Sequence, residues 1–359
     1  YISAQTLIWS DEFDGAAGQL PDTSKWSYNT GGDGWGNQEL QYYTDSALND
    51  ALDGNGNLVI TARKENPHNF ECWYGQCEYT SARLLTAGKF SHLYGIFEAR
   101  IKLPIGQGFW PAFWMLGDNF GYVDWPECGE IDIMENVGSD ALNIRGSLHG
   151  TGYSGDDRLT SAFHSPNGQP LANNFHIYRI DWSPSSITFS VDGINYGAKT
   201  PSDSHGNRWV FDQPFFVILN LAVGGYGPGY PDDTSFFPQT MVIDYVRAYS
   251  ASDTPSPISK KIKSAAGELC LDVAGANNAN ETPVQVARCS AGGSTANGAN
   301  VQIYDCNGTG AQQWTVSAAN DIVSLSAHRC LDIRMPAEDG ALTQIWDCSG
   351  NLNQKWNTV

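Results

Sequence analysis

The chain has 359 residues with a formal net charge of −19. That charge would be repelled by phosphate backbones and excludes nucleic acid as a natural partner. No run of about 18 apolar residues occurs, so no membrane-spanning helix is expected. Charged residues make up only 16% of the chain, whereas Trp (12), Tyr (16) and Phe (15) are abundant, a composition that suits large β cores and platforms for sugar rings.

Residues 1–250 read as strand after strand. Leu58–Arg63, Gly95–Leu103, His176–Trp182, Ser186–Val191 and Met241–Tyr249 alternate or run apolar with β-branched residues. Val191-Asp-Gly-Ile194 is a turn signal between two such runs. No long segment carries the 3.6-residue helical period. Many short strands with Gly-rich turns predict an all-β sandwich or barrel.

The segment Trp125-Pro-Glu-Cys-Gly-Glu-Ile-Asp-Ile-Met-Glu135 carries the chemistry. On a strand Glu130 and Asp132 share one face, with Ile131 and Ile133 on the other. Strict alternation would turn Glu135 into the apolar layer, a costly place for a charge. One extra residue at or near Met134, a β-bulge, returns Glu135 to the side of Glu130. Three carboxylates in one cleft suit retaining glycoside hydrolysis: one attacks the sugar carbon, another protonates the leaving oxygen, and Asp132 holds their pKa values apart. A calcium site or a solvated acidic strand would also fit this spacing. Trp110 and Trp114, just upstream, and Trp125 favour a sugar-binding cleft, while Phe113 reads as core.

Residues 251–260 are polar and contain prolines, as in a linker. The acidity lies before it: 29 acids and 13 bases (−16) in residues 1–250, against 10 and 7 (−3) after. Beyond the linker an internal repeat appears. Cys270-Leu-Asp-Val recurs as Cys330-Leu-Asp-Ile, Gln302-Ile-Tyr-Asp-Cys306 as Gln344-Ile-Trp-Asp-Cys348, and Gln312-Gln-Trp314 as Gln354-Lys-Trp356.

The cysteine spacings do not match a zinc site, so disulfides and an oxidising compartment are expected, including Cys72–Cys77 and Cys330–Cys348. Cys270 could pair with Cys289 or with Cys306; either choice leaves one thiol over, as does Cys128. Two sequons, at Asn280 and Asn307, point the same way. The chain opens at Tyr1 without a leader-like run. A secreted, mature and monomeric protein is expected.

The first 250 residues resemble glycoside hydrolase family 16. The resemblance rests on Trp9-Ser-Asp-Glu-Phe13, Gly34-Trp-Gly-Asn-Gln-Glu-Leu-Gln-Tyr-Tyr-Thr44, Ala82-Arg-Leu-Leu-Thr86, Trp110-Pro-Ala-Phe-Trp114, Glu130-Ile-Asp-Ile-Met-Glu135 and Ile243-Asp-Tyr-Val-Arg247. It implies a β-jelly roll with an open cleft, Glu130 as nucleophile, Glu135 as acid/base and Asp132 as helper. It also implies that Asn37, Arg83, Trp110, Trp114, Trp125 and His149 line the cleft, although His149 alone would read equally well as structural. Met134 places the chain with the bulged branch, which includes laminarinases, agarases and carrageenases. The Gly34–Tyr43 run is similar to a laminarinase hallmark, which implies endo-cleavage of β-1,3-glucan, with mixed β-1,3/1,4 chains as a second candidate substrate.

No cofactor is needed for such chemistry. By the same resemblance a structural calcium on the convex face would take carbonyls of Glu12 and Gly56 and the carboxylate of Asp244; pairing of Asp244 with a nearby base is the simpler alternative. Residues 261–359 resemble a ricin-type β-trefoil, carbohydrate-binding module family 13, with two clear lobes of three. The resemblance makes Trp314 and Trp356 structural and offers Asp272, Asn307 and Asp332 for sugar contacts. The alternatives are a non-catalytic glucan-binding protein, a relative acting on agarose or carrageenan, or a transglycosylase.

Overall fold

In this computed structural model the described residues are 6–250 and the strand segments 269–273, 284–288, 303–304, 314–316, 322–324, 329–333 and 343–346. The chain divides into two compact units, Tyr1–Thr254 and Pro255–Val359.

The first unit is a two-sheet β-jelly roll. One sheet has ten strands. Its main path runs Ile194–Lys199, Ser186–Val191, His176–Ser183, Gly95–Lys102, Gln239–Ser250, Leu58–Lys64, Tyr79–Ser81 and Gln41–Tyr43. The other has seven strands in the order Leu159–His164, Asn143–His149, Glu130–Glu135, Phe109–Gly117, Phe215–Val223, Arg83–Leu85 and Ser27–Tyr28. The sequence pattern explains the layering. Leu58–Lys64 buries every second residue, so Leu58, Ile60 and Ala62 enter the core. They meet Phe113, Ile131, Met134, Phe189, Leu219 and Ile243 in one apolar cluster between the sheets.

Phe215–Val223 breaks alternation because all nine residues are buried. It lies inside the seven-stranded sheet, and its second face is also covered. Phe216 and Ile218 join Leu116 and Cys128 in a separate apolar cluster, against which Trp114 packs. A strand covered on both faces reads as a continuous apolar run.

Cys72 and Cys77 form a disulfide across a small hairpin. Trp73 Nε1 and Tyr74 Oη of that hairpin donate to the carbonyls of Glu39 and Leu40, at 2.7 Å each. Cys128 is buried and free, and burial pushes its thiol up to about 12.

In the second unit the repeat is visible as strand pairing. Cys270 faces Tyr304 and Leu271 faces Ile303 in one copy; Cys330 faces Trp346 and Leu331 faces Ile345 in the other. A further strand, Val284–Arg288, pairs along the other side of Leu269–Val273. Cys330 is disulfide-bonded; its expected partner, Cys348, lies outside the described residues, as do Cys289 and Cys306.

Asp50 is a buried carboxyl in the core-side strand Asp50–Leu52. Tyr28 Oη donates to its Oδ2 at 2.6 Å, while Oδ1 has no hydrogen-bond partner. Burial raises its pKa from 3.8 to about 7. A carboxyl raised on folding contributes stability that is present in full below pH 3.8 and is gone once the pH has risen past about 7. The Asp50→Asn variant removes this titration. Urea unfolding should show the wild type losing stability relative to the variant, by on the order of 4 kcal/mol, between about pH 4 and pH 8. A pH-independent difference would contradict the assignment.

Candidate active site

The strand Glu130–Glu135 solves its parity problem with one unpaired residue. Against the neighbouring strand, Trp114 faces Asp132 and Phe113 faces Met134, so Ile133 has no partner. Against the other neighbour, Asp132 faces Ser147 and Glu135 faces Arg145, again with an extra residue in the acidic strand. The expected bulge is therefore present. Ile131, Ile133 and Met134 all point into the core. Glu130, Asp132 and Glu135 occupy the opposite, cleft-facing side.

Register carries this face across the sheet. One row runs Arg145, Glu135, Ala112, Asn220, Arg83; the next runs Ser147, Asp132, Trp114, Ile218, Leu85. The aromatic run upstream divides by the same rule. Phe109 and Phe113 are buried in the core, whereas Trp110 and Trp114 are half-buried on the cleft side.

Each carboxylate has distinct neighbours. Trp125 Nε1 donates to Glu130 Oε2 at 2.8 Å, and Trp110 Nε1 donates to Glu135 Oε1 at 3.1 Å. His149 Nε2 stands 3.1 Å from Asp132 Oδ2 and 3.7 Å from Glu130 Oε1. The 3.1 Å contact is close but not aligned as a hydrogen bond, and Asp132 Oδ2 has no other partner. Burial raises all three carboxyls. Mutual repulsion adds to this, Asp132 acting on Glu130 and Glu135 acting on both of the others. Groups this close titrate as a unit, and the cluster holds a proton at a pH where isolated carboxylates would be bare.

Arg83 lies between two indoles, its guanidinium carbon 4.8 Å from the Trp35 ring and 4.8 Å from the Trp114 ring. The negative charges of Glu39 and Glu130 act on it. Sequence reading missed the polar chain beside it. Trp114 Nε1 donates to Asn220 Oδ1 (2.7 Å), Asn220 Nδ2 to Tyr43 Oη (3.0 Å), and Tyr43 Oη to Glu39 Oε2 (3.3 Å). Gln41 also donates to Glu39 at 2.6 Å, and Asn37 Nδ2 at 3.4 Å. Glu39 is buried, and burial raises its pKa. Tyr43 and Glu39 lie within the Gly34–Thr44 motif, where alternating polar residues in a buried strand were the available signal. Nothing local marks Asn220, or Arg158, whose positive charge acts on Asp132 and Glu135.

The proposed calcium positions fit only in part. The Glu12 carbonyl lies 3.9 Å from where a Cβ on Gly56 would stand. Arg100 Nη1, however, donates to Asp244 Oδ2 at 2.5 Å, so a metal would have to displace a guanidinium. Asp272 and Asp332 lie on paired strands of the second unit, and Asn307 lies outside the described residues.

A bulged strand carrying three cleft-facing carboxylates, flanked by indoles on both sides, agrees with sequence comparison: the glycosyl hydrolases family 16 model matches residues 35–247. The chain belongs to this family. Residues 290–359 match the ricin-type β-trefoil lectin domain. A β-glucanase of Rhodothermus marinus is 44% identical over 259 residues, covering 68% of this chain and 84% of that protein. The glucan endo-1,3-beta-glucosidase A1 of Niallia circulans is 38% identical over 267 residues, and the match spans 38% of its length. Among solved structures, the laminarinase catalytic domain of Thermotoga maritima superposes with a TM-score of 0.64 at 48% identity, over 68% of this chain and 98% of its own. The endo-β-1,3-glucanase of Pyrococcus furiosus gives 0.65 at 46%, over 69% and 95%.

Replacing Arg83 by Met keeps apolar bulk between the indoles but leaves Glu39 without its nearby cation. The variant should lose about 3 kcal/mol at neutral pH, and the loss should shrink on acidification as Glu39 takes a proton. Urea unfolding at both pH values checks this; a loss independent of pH would place the effect in packing alone.

Proposed function

We propose that this chain is a retaining endo-β-1,3-glucanase that cuts laminarin-type glucan, with mixed β-1,3/1,4-glucan as a second substrate. The observation that carries the reading is the single cleft face on which the bulge gathers Glu130, Asp132 and Glu135. Glu130 attacks the anomeric carbon as the bond to the leaving sugar breaks, and Glu135 protonates the departing oxygen. Glu135 then takes a proton from water, which releases the sugar from Glu130 with its configuration retained. Asp132, between them and buried, separates their charge states.

The hydrogen bonds support this division of labour. Trp125 Nε1 donates to Glu130, which favours its anion, and His149 Nε2 stands 3.7 Å from it without a hydrogen bond; Glu135 accepts one longer bond, from Trp110. Exposed aromatics continue on both sides of the acids. Trp125 lies against Glu130, and Gly227, next to the exposed Tyr226, adjoins Trp110 beside Glu135. Aromatics flanking both acids suit internal cleavage of a long chain. Among the described residues no helix is long and apolar enough to cross a membrane. The Cys72–Cys77 disulfide supports an enzyme that works outside the cell, and a monomer is part of the same proposal. The ricin-type unit supplies polysaccharide binding through Asp272, Asn307 and Asp332.

Laminarin, lichenan and agarose offered side by side test the substrate. Laminarin should yield short oligosaccharides, Glu130→Gln should abolish cleavage while retaining binding, and Asp272→Ala with Asp332→Ala should weaken retention on insoluble β-1,3-glucan. Cleavage of agarose with none of laminarin would overturn the assignment. A structural calcium at Glu12, Gly56 and Asp244 is part of the same proposal: added calcium should raise the thermal midpoint over that in chelator, and equal midpoints would remove it.

A further inference from the structure

The carboxylate trio is served by a residue whose proton is placed by the backbone of a neighbouring loop. His149 ends the strand Asn143–His149, opposite Glu130. Its side chain is largely buried, its ring lies 5.8 Å from that of Trp125, and its Nε2 faces both Glu130 and Asp132. The other ring nitrogen settles the tautomer. The backbone N–H of Gly155 donates to His149 Nδ1 at 3.2 Å. An amide can only donate, so Nδ1 must offer a lone pair, and a neutral ring then carries its hydrogen on Nε2. That hydrogen is directed into the space between Asp132 Oδ2 and Glu130 Oε1.

The loop that does this is itself braced. Gly150 and Tyr153 bridge to each other, and Tyr153 Oη donates to the Arg208 carbonyl at 2.7 Å. Arg158 Nη1 donates to the Gly155 carbonyl at 2.8 Å, so the peptide on either side of Gly155 is engaged. Gly155 has φ of +59°, a conformation that favours glycine.

We propose that the Gly155 amide fixes His149 as an Nε2–H donor, and that His149 is a positioning residue which favours negative charge on the Glu130–Asp132 pair. The charged groups around the imidazole are Glu130, Asp132 and Glu135 on the acidic strand and Arg158 on the loop. Of these, the first two lie nearest to Nε2. An N–H dipole directed at a carboxyl favours its ionised form even short of an aligned hydrogen bond, so it biases the nucleophile toward its anion.

The same tautomer bears on a second feature. Glu130, Asp132 and His149 have ligand atoms within 4.8 Å of one another, a spacing that a divalent cation could use. Metal binding needs a lone pair on Nε2, and the Gly155 amide puts a proton there instead. The loop thus disfavours capture of a transition metal by the trio.

Nitrogen NMR of the histidine-labelled full chain reads the tautomer directly, with the His149 signals assigned by their loss in His149→Gln. The expected resting state is protonated at Nε2 and unprotonated at Nδ1; the reverse tautomer would overturn the proposal whatever the substrate proves to be. The kinetic arm rests on the retaining-glucanase reading. His149→Ala should lower kcat by about 100-fold with little change in KM, and should move the acid limb of the kcat/KM profile to higher pH. His149→Gln, which can place an N–H near the position of Nε2, should recover much of both. Loss of activity in His149→Ala with an unchanged pH profile, and no rescue by Gln, would reduce His149 to a structural role.

Discussion

A strand that holds three carboxylates on one face and three apolar side chains against a core on the other cannot obey simple alternation. Leaving Ile133 unpaired resolves the conflict locally. Ile131, Ile133 and Met134 anchor the strand in the core, while Glu130 and Glu135 come to the same side. The remaining architecture supports this strand. It is flanked on both sides by paired strands, and its longer neighbour, Phe109–Gly117, follows alternation closely enough to send phenylalanines inward and tryptophans to the cleft.

Gathering carboxylates in a half-buried cleft creates an electrostatic cost that the surroundings must offset. The structure does so with N–H donors rather than with direct ion pairs to Arg or Lys. Indole groups donate to Glu130 and Glu135, and an imidazole stands beside Asp132 and Glu130. Arg83 is held against two indole faces, with the charges of Glu39 and Glu130 acting on it. Neutral donors lower the cost of a carboxylate without neutralising it, which leaves its charge available for chemistry.

Much of this could be read from residue order. The all-β class followed from two-residue periodicity, and the bulge from a parity argument on six residues. Phe113 as core and the neighbouring tryptophans as cleft residues followed from their grouping with the acids. What escaped depended on long-range pairing. Asn220 meets Trp114 and Tyr43 only because Phe215–Val223 lies between strands far away in sequence. The same holds for Asp50 and Tyr28, which meet across two separate strands. His149 was expected at the cleft, but the tautomer that defines its part depends on a loop amide that no residue type announces. Asp244 shows the opposite case: a motif position suggested a metal ligand, and the structure pairs it with Arg100.

The central claim is that the bulge sets Glu130 and Glu135 as nucleophile and acid on one sugar. Proton NMR of the reducing ends released in the first moments of laminarin cleavage tests it most directly. The account predicts that the β-anomer forms first and then mutarotates. First appearance of the α-anomer would mean a single displacement by water, which would contradict the account.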